Sequence, residues 1–428
     1  MSTVVRTMCP MNCHPTLCGM LVEIEDGRVL SVKGDPDNPD SQGFLCIRGQ
    51  ASREIIGNPE RLLHPMVRNR RGGDWRRASW AEVLDRIAER MREADRLAVA
   101  TWTGHGVAAN NYGMRLTGNL VRRFANLYGC QTWGSQMICW GLGGFGLGLT
   151  GVLETSTKED MGAHANLIVL WGANLASQPN TARHVAAARR RGAHVVTVDV
   201  RETEAAAQSD EVFVLRPGTD AALALAMMHV IVREDLHDRA FVERHALGFD
   251  ELAAHVRAHS PAWAEAITGI SAASGKVEFV SERAKRHGLP ALPVYEPLPS
   301  SPYPLEFRQG RTLTHFHGFY DHGRALPSLA RADAEPVLWI SPVDAAARGV
   351  ADGAAIRIHN ERGALEARAR VTDKVPAGTV WMRDGWRGVN NLTSGAPSIP
   401  DEACELFPFT AGQSAYDARV EVSPEPLG

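Results

Sequence analysis

The chain has 428 residues, 44% of them hydrophobic and 22% charged, with a formal net charge of −3. That is the balance of an ordinary globular protein long enough for about two to four domains. It excludes the basic footprint of a nucleic-acid binder, and no apolar run is long enough to span a bilayer. The seven cysteines fit a reducing compartment. The stretch from Met1 to Cys9 carries neither an apolar signal region nor a twin arginine, so a cytoplasmic location is expected, short of export on a signal-bearing partner.

Chemistry is concentrated at the start of the chain. Cys9, Cys13 and Cys18 fall within ten residues, and Cys46 follows after 27 more. Structural zinc is usually held by two close pairs. Three clustered cysteines plus a distant fourth match the all-cysteine sites of [4Fe–4S] clusters better. A disulfide framework belongs to small secreted domains and fits poorly here. Leu21–Glu25 and Arg28–Lys33 alternate around Asp26-Gly27, which predicts a hairpin. The loop from Gly34 then returns the chain to Cys46.

Ser79 and Glu82 form the sequence pattern of a capping box, opening a helix in which Leu84, Ile87, Ala88 and Met91 recur at helical spacing. Leu97–Trp102 reads as a buried strand. Residues 139–152 are rich in glycine, which lets backbone approach something bulky or simply makes a loop. From about 160 to 235 the order is strand, helix, strand, strand, helix: Leu167–Trp171, Ala182–Arg191 ended by Gly192, His194–Asp199, Glu211–Leu215, then a long apolar helix. This alternation predicts a doubly wound parallel sheet, with ligands at the carboxyl ends of its strands. After a proline-rich stretch, short strands separated by Asp352-Gly353 and Arg362-Gly363 predict a small β-barrel.

Gly172-Ala173-Asn174, after a strand and before a helix, suits an anion at the helix N-terminus. Asp199 ends the next strand, where a ribose or base edge would sit. The full G-x-G-x-x-G is absent, so a nucleotide-like ligand and a plain α/β domain both remain open. Cys139 on its own is either a small buried hydrophobe or a metal thiolate. His315 and His317, with His322 nearby, are either ligands or loop-lining hydrogen-bonding groups. Cys130 and Cys404 have no supporting context.

Together these pieces resemble the molybdopterin oxidoreductase family, the bis-molybdopterin-guanine-dinucleotide enzymes of the dimethyl sulfoxide reductase superfamily that carry an N-terminal [4Fe–4S] cluster. The resemblance rests on the cysteine segment through Cys46-Ile47-Arg48-Gly49, on Trp171–Ser177, Val198–Thr203 and Arg216–Asp220, and on Arg311 through Asp384–Thr393. It implies an α/β protein: a cluster domain over 1–60, a doubly wound α/β dinucleotide region over 61–287, a linker over 288–310, and a six-stranded type of β-barrel over 311–428. It implies cluster ligation by Cys9, Cys13, Cys18 and Cys46, with Arg48 between cluster and pterin. Cys139 falls where the family ligates molybdenum or tungsten. Gly172, Asn174, Asp199, Arg201, Thr203, Gly218 and Asp220 are implied to hold one guanine dinucleotide, and Arg311, His315, His317 and Asn390 to touch pterin.

Three departures stand out. Each gap between the first three cysteines is one residue longer than the commonest family pattern. Trp140 follows Cys139, where the family's formate dehydrogenases typically have histidine. After Ile270 the chain passes at once to Ser274–Ser281, so a long block of the family's second α/β domain is missing. The expected activity is two-electron transfer of oxygen, sulfur or a hydride equivalent on a small substrate, leaning to thiosulfate or polysulfide reduction. An electron-transfer protein or Fe–S subunit is the expected partner, with another subunit or a second copy completing the missing block. The alternatives are a non-catalytic or partner-completed subunit and a formate dehydrogenase-like enzyme.

Overall fold

The computed structural model describes residues 1–11, 13, 18–103, 117–134, 146–150, 156–270, 294–295, 300–314, 325–395 and 417–424. The chain divides into two compact units, one of residues 1–139 with 323–328, the other of 140–322 with 329–428.

In the first unit, β1 (Thr3–Met8), β2 (Gly19–Glu25) and β3 (Arg28–Gly34) form an antiparallel sheet. Asp26 and Gly27 both adopt positive φ, 49° and 74°, as a two-residue type I′ hairpin requires. The expected hairpin is therefore present. The loop beyond it is pinned back toward Cys18: Ser41 Oγ accepts from the Gly19 N–H at 3.0 Å. Gly34 could carry no side chain, because a Cβ there would lie 2.0 Å from the Gly43 carbonyl oxygen. The loop delivers Cys46 to the start of α1 (Ile47–Ala51).

A short hairpin of β4 (Met66–Val67) and β5 (Arg76–Arg77) leads to α2 (Trp80–Glu93). Ser79 caps α2 by accepting from the Glu82 N–H at 3.1 Å. Glu82 itself pairs with Arg76, so half of the expected box forms. The predicted strand at Leu97–Trp102 begins later, because Arg96–Ala98 is a 3₁₀ turn capped by Asp95. What remains is β6 (Ala100–Thr103), which pairs in parallel with β7 (Gln131–Gly134). Between them runs α3 (Thr117–Tyr128), whose Tyr128 hydroxyl donates to the Met91 carbonyl of α2.

In the second unit, α4 (Lys158–His164) starts with a complete capping box between Thr157 and Asp160. Next come β8 (Leu167–Trp171), α5 (Pro179–Arg190), β9 (His194–Asp199), β10 (Glu211–Val214) and α6 (Asp220–Arg233). The three strands are parallel in the order β10-β9-β8. Proline opens α5, and Gly192, at φ 95°, allows the turn that ends it. Ile168, Leu170 and Val195 on one sheet face pack with Val185 and Ala188 of α5. The apolar α6 buries Leu225 and Met228 against Leu252 and Val256 of α7 (Phe249–Val256), with Trp263 of α8 (Pro261–Thr268) beside them.

The C-terminal part closes into a barrel, β11-β15-β12-β14-β13-β16. Its strands are β11 (Leu305–Gly310), β12 (Val337–Ile340), β13 (Ala355–Asn360), β14 (Gly363–Val371), β15 (Thr379–Arg383) and β16 (Arg419–Pro424). The first of them lies in residues read as linker, so the barrel starts at Leu305, not at 311. Its core is aliphatic, built on Leu305, Leu338, Ile340, Ile356, Ile358, Val380 and Val420. Among the described residues no helix is long and apolar enough to cross a membrane.

Candidate redox centre and dinucleotide site

The fold brings the N-terminal cysteines within electrostatic reach of one another. Cys9 donates its backbone N–H to the Cys18 carbonyl at 2.8 Å. Both side chains pack against Met20, Val22 and Leu45 beneath them. Burial pushes the Cys9 thiol up to about 12, with the Cys46, Cys13 and Cys18 thiols adding repulsion against a backbone hydrogen bond near Met11 that opposes it. A bound iron core would oppose that rise, since a bound cation lowers the pKa of the thiol that ligates it. The donor set thus fits an iron–sulfur cluster. Gly49 leaves the space: a Cβ there would come within 3.3 Å of Cys9 Sγ and 2.3 Å of Leu45 Cδ1. Arg48, one residue earlier on α1, is fully buried at 0% exposure.

The second constellation lies at the carboxyl ends of β8 and β9. Gly172 leaves β8 with φ 57°, a conformation other residues rarely adopt, and donates its N–H to the Val198 carbonyl at 2.8 Å. Asn174 Nδ2 donates to Glu204 at 2.5 Å, and Glu204 pairs with Arg201 at 3.2 Å. Trp171 Nε1 donates to Asp220, the first residue of α6, at 2.8 Å. Gly218 makes the preceding turn at φ 77°. Thr203 is buried and accepts from the Ala206 N–H at 3.2 Å. Asn174, Asp199, Arg201 and Asp220 therefore converge on one end of the sheet.

Arg201 is itself 3% exposed. Its guanidinium lies 4.2 Å from the ring centre of Trp381 and 5.1 Å from that of Trp339, both on the barrel. Lys374 reaches Glu202 at 3.2 Å alongside. Asn390 is exposed on a short 3₁₀ turn, and Arg311 is half-buried after β11. Cys139, His315 and His317 lie outside the described residues.

One residue had escaped the sequence reading. Asn180 in the first turn of α5 is 1% exposed, and among the described residues neither its amide nitrogen nor its oxygen has a hydrogen-bond partner. The N-cap position, Gln178, makes no side-chain cap either. A buried amide left open beside an uncapped helix N-terminus fits an anionic ligand there.

Burial raises the Asp199 carboxyl above the usual aspartate range, and the charge of Asp220 adds to this, against the Val200 N–H and Arg201. The folded chain therefore holds this proton where the unfolded chain has released it. The resulting destabilisation is absent below the ordinary pKa of about 3.9 and grows as pH rises through the window above it. Asp199→Asn should accordingly melt about 1–3 °C higher than the parent at pH 7 and show no gain near pH 3, by calorimetry. An equal gain at both pH values would contradict the assignment.

The family model described as "Molybdopterin oxidoreductase" matches residues 61–396, and that described as "Molybdopterin oxidoreductase Fe4S4 domain" matches residues 2–58. The chain is a member of the molybdopterin oxidoreductase family. The family's groups are a [4Fe–4S] cluster in the first region and a molybdenum- or tungsten-pterin centre in the second. A probable oxidoreductase of Bacillus subtilis, YoaE, is 30% identical over 292 residues, 67% of this chain and 41% of that protein. Formate dehydrogenase H of Escherichia coli is 30% identical over 280 residues, 63% of this chain and 38% of that one. Acetylene hydratase from Pelobacter acetylenicus shares the fold, with a TM-score of 0.78 at 15% identity over 98% of this chain and 100% of that chain. The match thus spans about two fifths of the length of these curated relatives.

Proposed function

We propose that this family member is a molybdenum or tungsten oxidoreductase that exchanges two electrons with a small substrate and delivers them to an external electron-transfer protein or Fe–S subunit. The observation that carries the reading is the crowded thiol set around Cys9, in the same chain as a dinucleotide turn whose buried Asn180 amide is open. Cys9, Cys13, Cys18 and Cys46 hold the iron, and Cys139 supplies a thiolate to molybdenum or tungsten, whose soft sulfur-rich environment it suits. When bound, the metal–pterin centre supplies the two-electron exchange and the cluster its one-electron exit.

The chain's own residues bind and tune. The α5 N-terminus and Asn180 take phosphate oxygens, with Gly172 and Asn174 shaping the turn. Asp199 and Asp220 accept hydrogen bonds from a guanine or ribose edge, and Gly218 sets the turn that presents Asp220. Arg201 and Thr203 hold the β9 loop in place. Arg311, His315, His317 and Asn390 would hold the pterin. Arg48 places a fixed positive charge two residues from a cluster ligand, which favours arrival of an electron there.

For the substrate, Trp140 in place of histidine after Cys139 favours thiosulfate, polysulfide or a related sulfur compound. Formate is the competing substrate, since several relatives carry formate dehydrogenase names. A chain purified without air should contain about four irons, one molybdenum or tungsten and guanine nucleotide, and should oxidise reduced viologen with a sulfur oxyanion. Iron without molybdenum, tungsten or nucleotide would replace this reading with that of a non-catalytic or partner-completed subunit, which the chain's short span relative to its relatives favours.

A further inference from the structure

The approaches to three of the four cluster cysteines meet at one buried carboxylate. Asp35, the residue after β3, is 2% exposed. Its Oδ2 accepts from Arg6 Nε at 2.8 Å, and its Oδ1 accepts from the Asp37 N–H at 3.0 Å. Arg6 lies three residues before Cys9, on β1, a strand exposed along its whole length. The Asp35 backbone makes two further links. Its N–H donates to the Gly19 carbonyl at 3.0 Å, and its carbonyl accepts from the Gly43 N–H at 2.8 Å. Gly19 follows Cys18, and Gly43 lies three residues before Cys46. One residue therefore ties together the segments that lead into or out of Cys9, Cys18 and Cys46.

The loop between these links has no slack. A Cβ on Gly19 would lie 2.5 Å from Cβ of Asn38, so the loop presses on the backbone beside Cys18. The Asn38 side-chain oxygen accepts from the N–H and the hydroxyl of Ser41, at 2.8 and 3.1 Å, and Ser41 is fully buried. Packing this close transmits a shift at Asp35 to the neighbouring segments instead of absorbing it. Arg6 is the outer half of the ion pair: its side chain is 59% exposed and also reaches the exposed Asp37, whereas that of Asp35 is 3% exposed. We infer that the Asp35 carboxylate, clamped by Arg6, is a positioning residue for the iron–sulfur cluster. It holds the Cys9 strand to the loop that presents Cys46, and it sets a fixed negative charge beside the cluster domain's ligand segments. This role rests on Cys9, Cys18 and Cys46 being iron ligands. Partners behind the ligands of a metal site commonly govern how firmly the metal is held.

The test uses the full chain purified without air. Asp35→Asn keeps the shape and removes the charge; Arg6→Gln leaves the buried carboxylate without its cation. Asp37→Asn is the control, because it takes a surface carboxylate from the same guanidinium. Iron release to a ferrous chelator, followed well below the melting temperature, should be about tenfold faster in Asp35→Asn and Arg6→Gln. The control should release iron at the parent rate. The second readout is the cluster's midpoint potential, which a purely fold-stabilising residue would not move in two directions. Removing a negative charge favours the reduced cluster, so Asp35→Asn should raise the potential by about threefold in the reduced-to-oxidised ratio, or ~28 mV at ~59 mV per tenfold. Arg6→Gln should lower it, and by less, because solvent screens Arg6. Parent-like iron release in Asp35→Asn, an unmoved potential in that variant, or shifts of the same sign in both variants would overturn the proposal. A parent chain that holds no iron would overturn the ligand assignment itself, and this role with it.

Discussion

The Arg201→Ala variant should melt about 3–5 °C below the parent chain, corresponding to roughly 3 kcal/mol. Each face-on contact between a desolvated guanidinium and a tryptophan contributes about 1–2 kcal/mol, and Arg201 makes two, to Trp381 and Trp339. The ion pair with half-exposed Glu204 adds little, because solvent screens it. It does add a pH signature. Burial by itself would raise the Glu204 carboxyl, but Arg201, with Asn174, brings it below the usual glutamate range. That contribution is present above the unfolded pKa of about 4.3 and is lost as pH falls through the lowered value. The gap between parent and variant should therefore narrow in acid. Arg201→Lys should recover the charge but not the stacking, and so restore less than half of the melting temperature. A lysine variant as stable as the parent would mean that the tryptophans contribute nothing beyond contact with a cation.

Cys139→Ser should abolish or redirect turnover, by about 100-fold or more, while leaving the iron content and the cluster's absorption near 400 nm unchanged. The reason is separation of function: four thiols hold the iron, and the fifth is proposed to meet the catalytic metal. A serine oxygen is a harder donor to such a metal than a thiolate. Unchanged turnover and unchanged metal spectra would remove Cys139 from the site. Loss of iron would instead make it part of the cluster's support.

What could be read from the sequence was local. Asp26-Gly27 announced its hairpin because the turn's chemistry lies in two adjacent residues. The strands ending at Trp171 and Asp199 were legible because the apolar period changes within a dozen positions. Long-range facts left no such trace. Strand β11 reads as linker because Pro302 and Pro304 precede it, and its partners, Thr379 and Val420 among them, lie far along the chain. The Thr157 cap was missed because its third position is aspartate, where the familiar pattern has glutamate. The stacking of Arg201 left no trace either, since nothing nearby in the chain announces Trp339 and Trp381. Asn180 gave no signal, since a polar residue in a helix's first turn is ordinary; only its burial makes it informative. The thiol set was the most legible feature, because four cysteines at that spacing have few other uses in a chain of this length.

The pairing of β11 with β16 joins Leu305 to Val420 and closes the barrel between its first and last strands. The polypeptide therefore enters and leaves this fold at neighbouring points, as in domains that tolerate insertion or circular permutation. Such a module can be cut from one arrangement and spliced into another without re-registering any strand, because no hydrogen bond of the ladder crosses the splice.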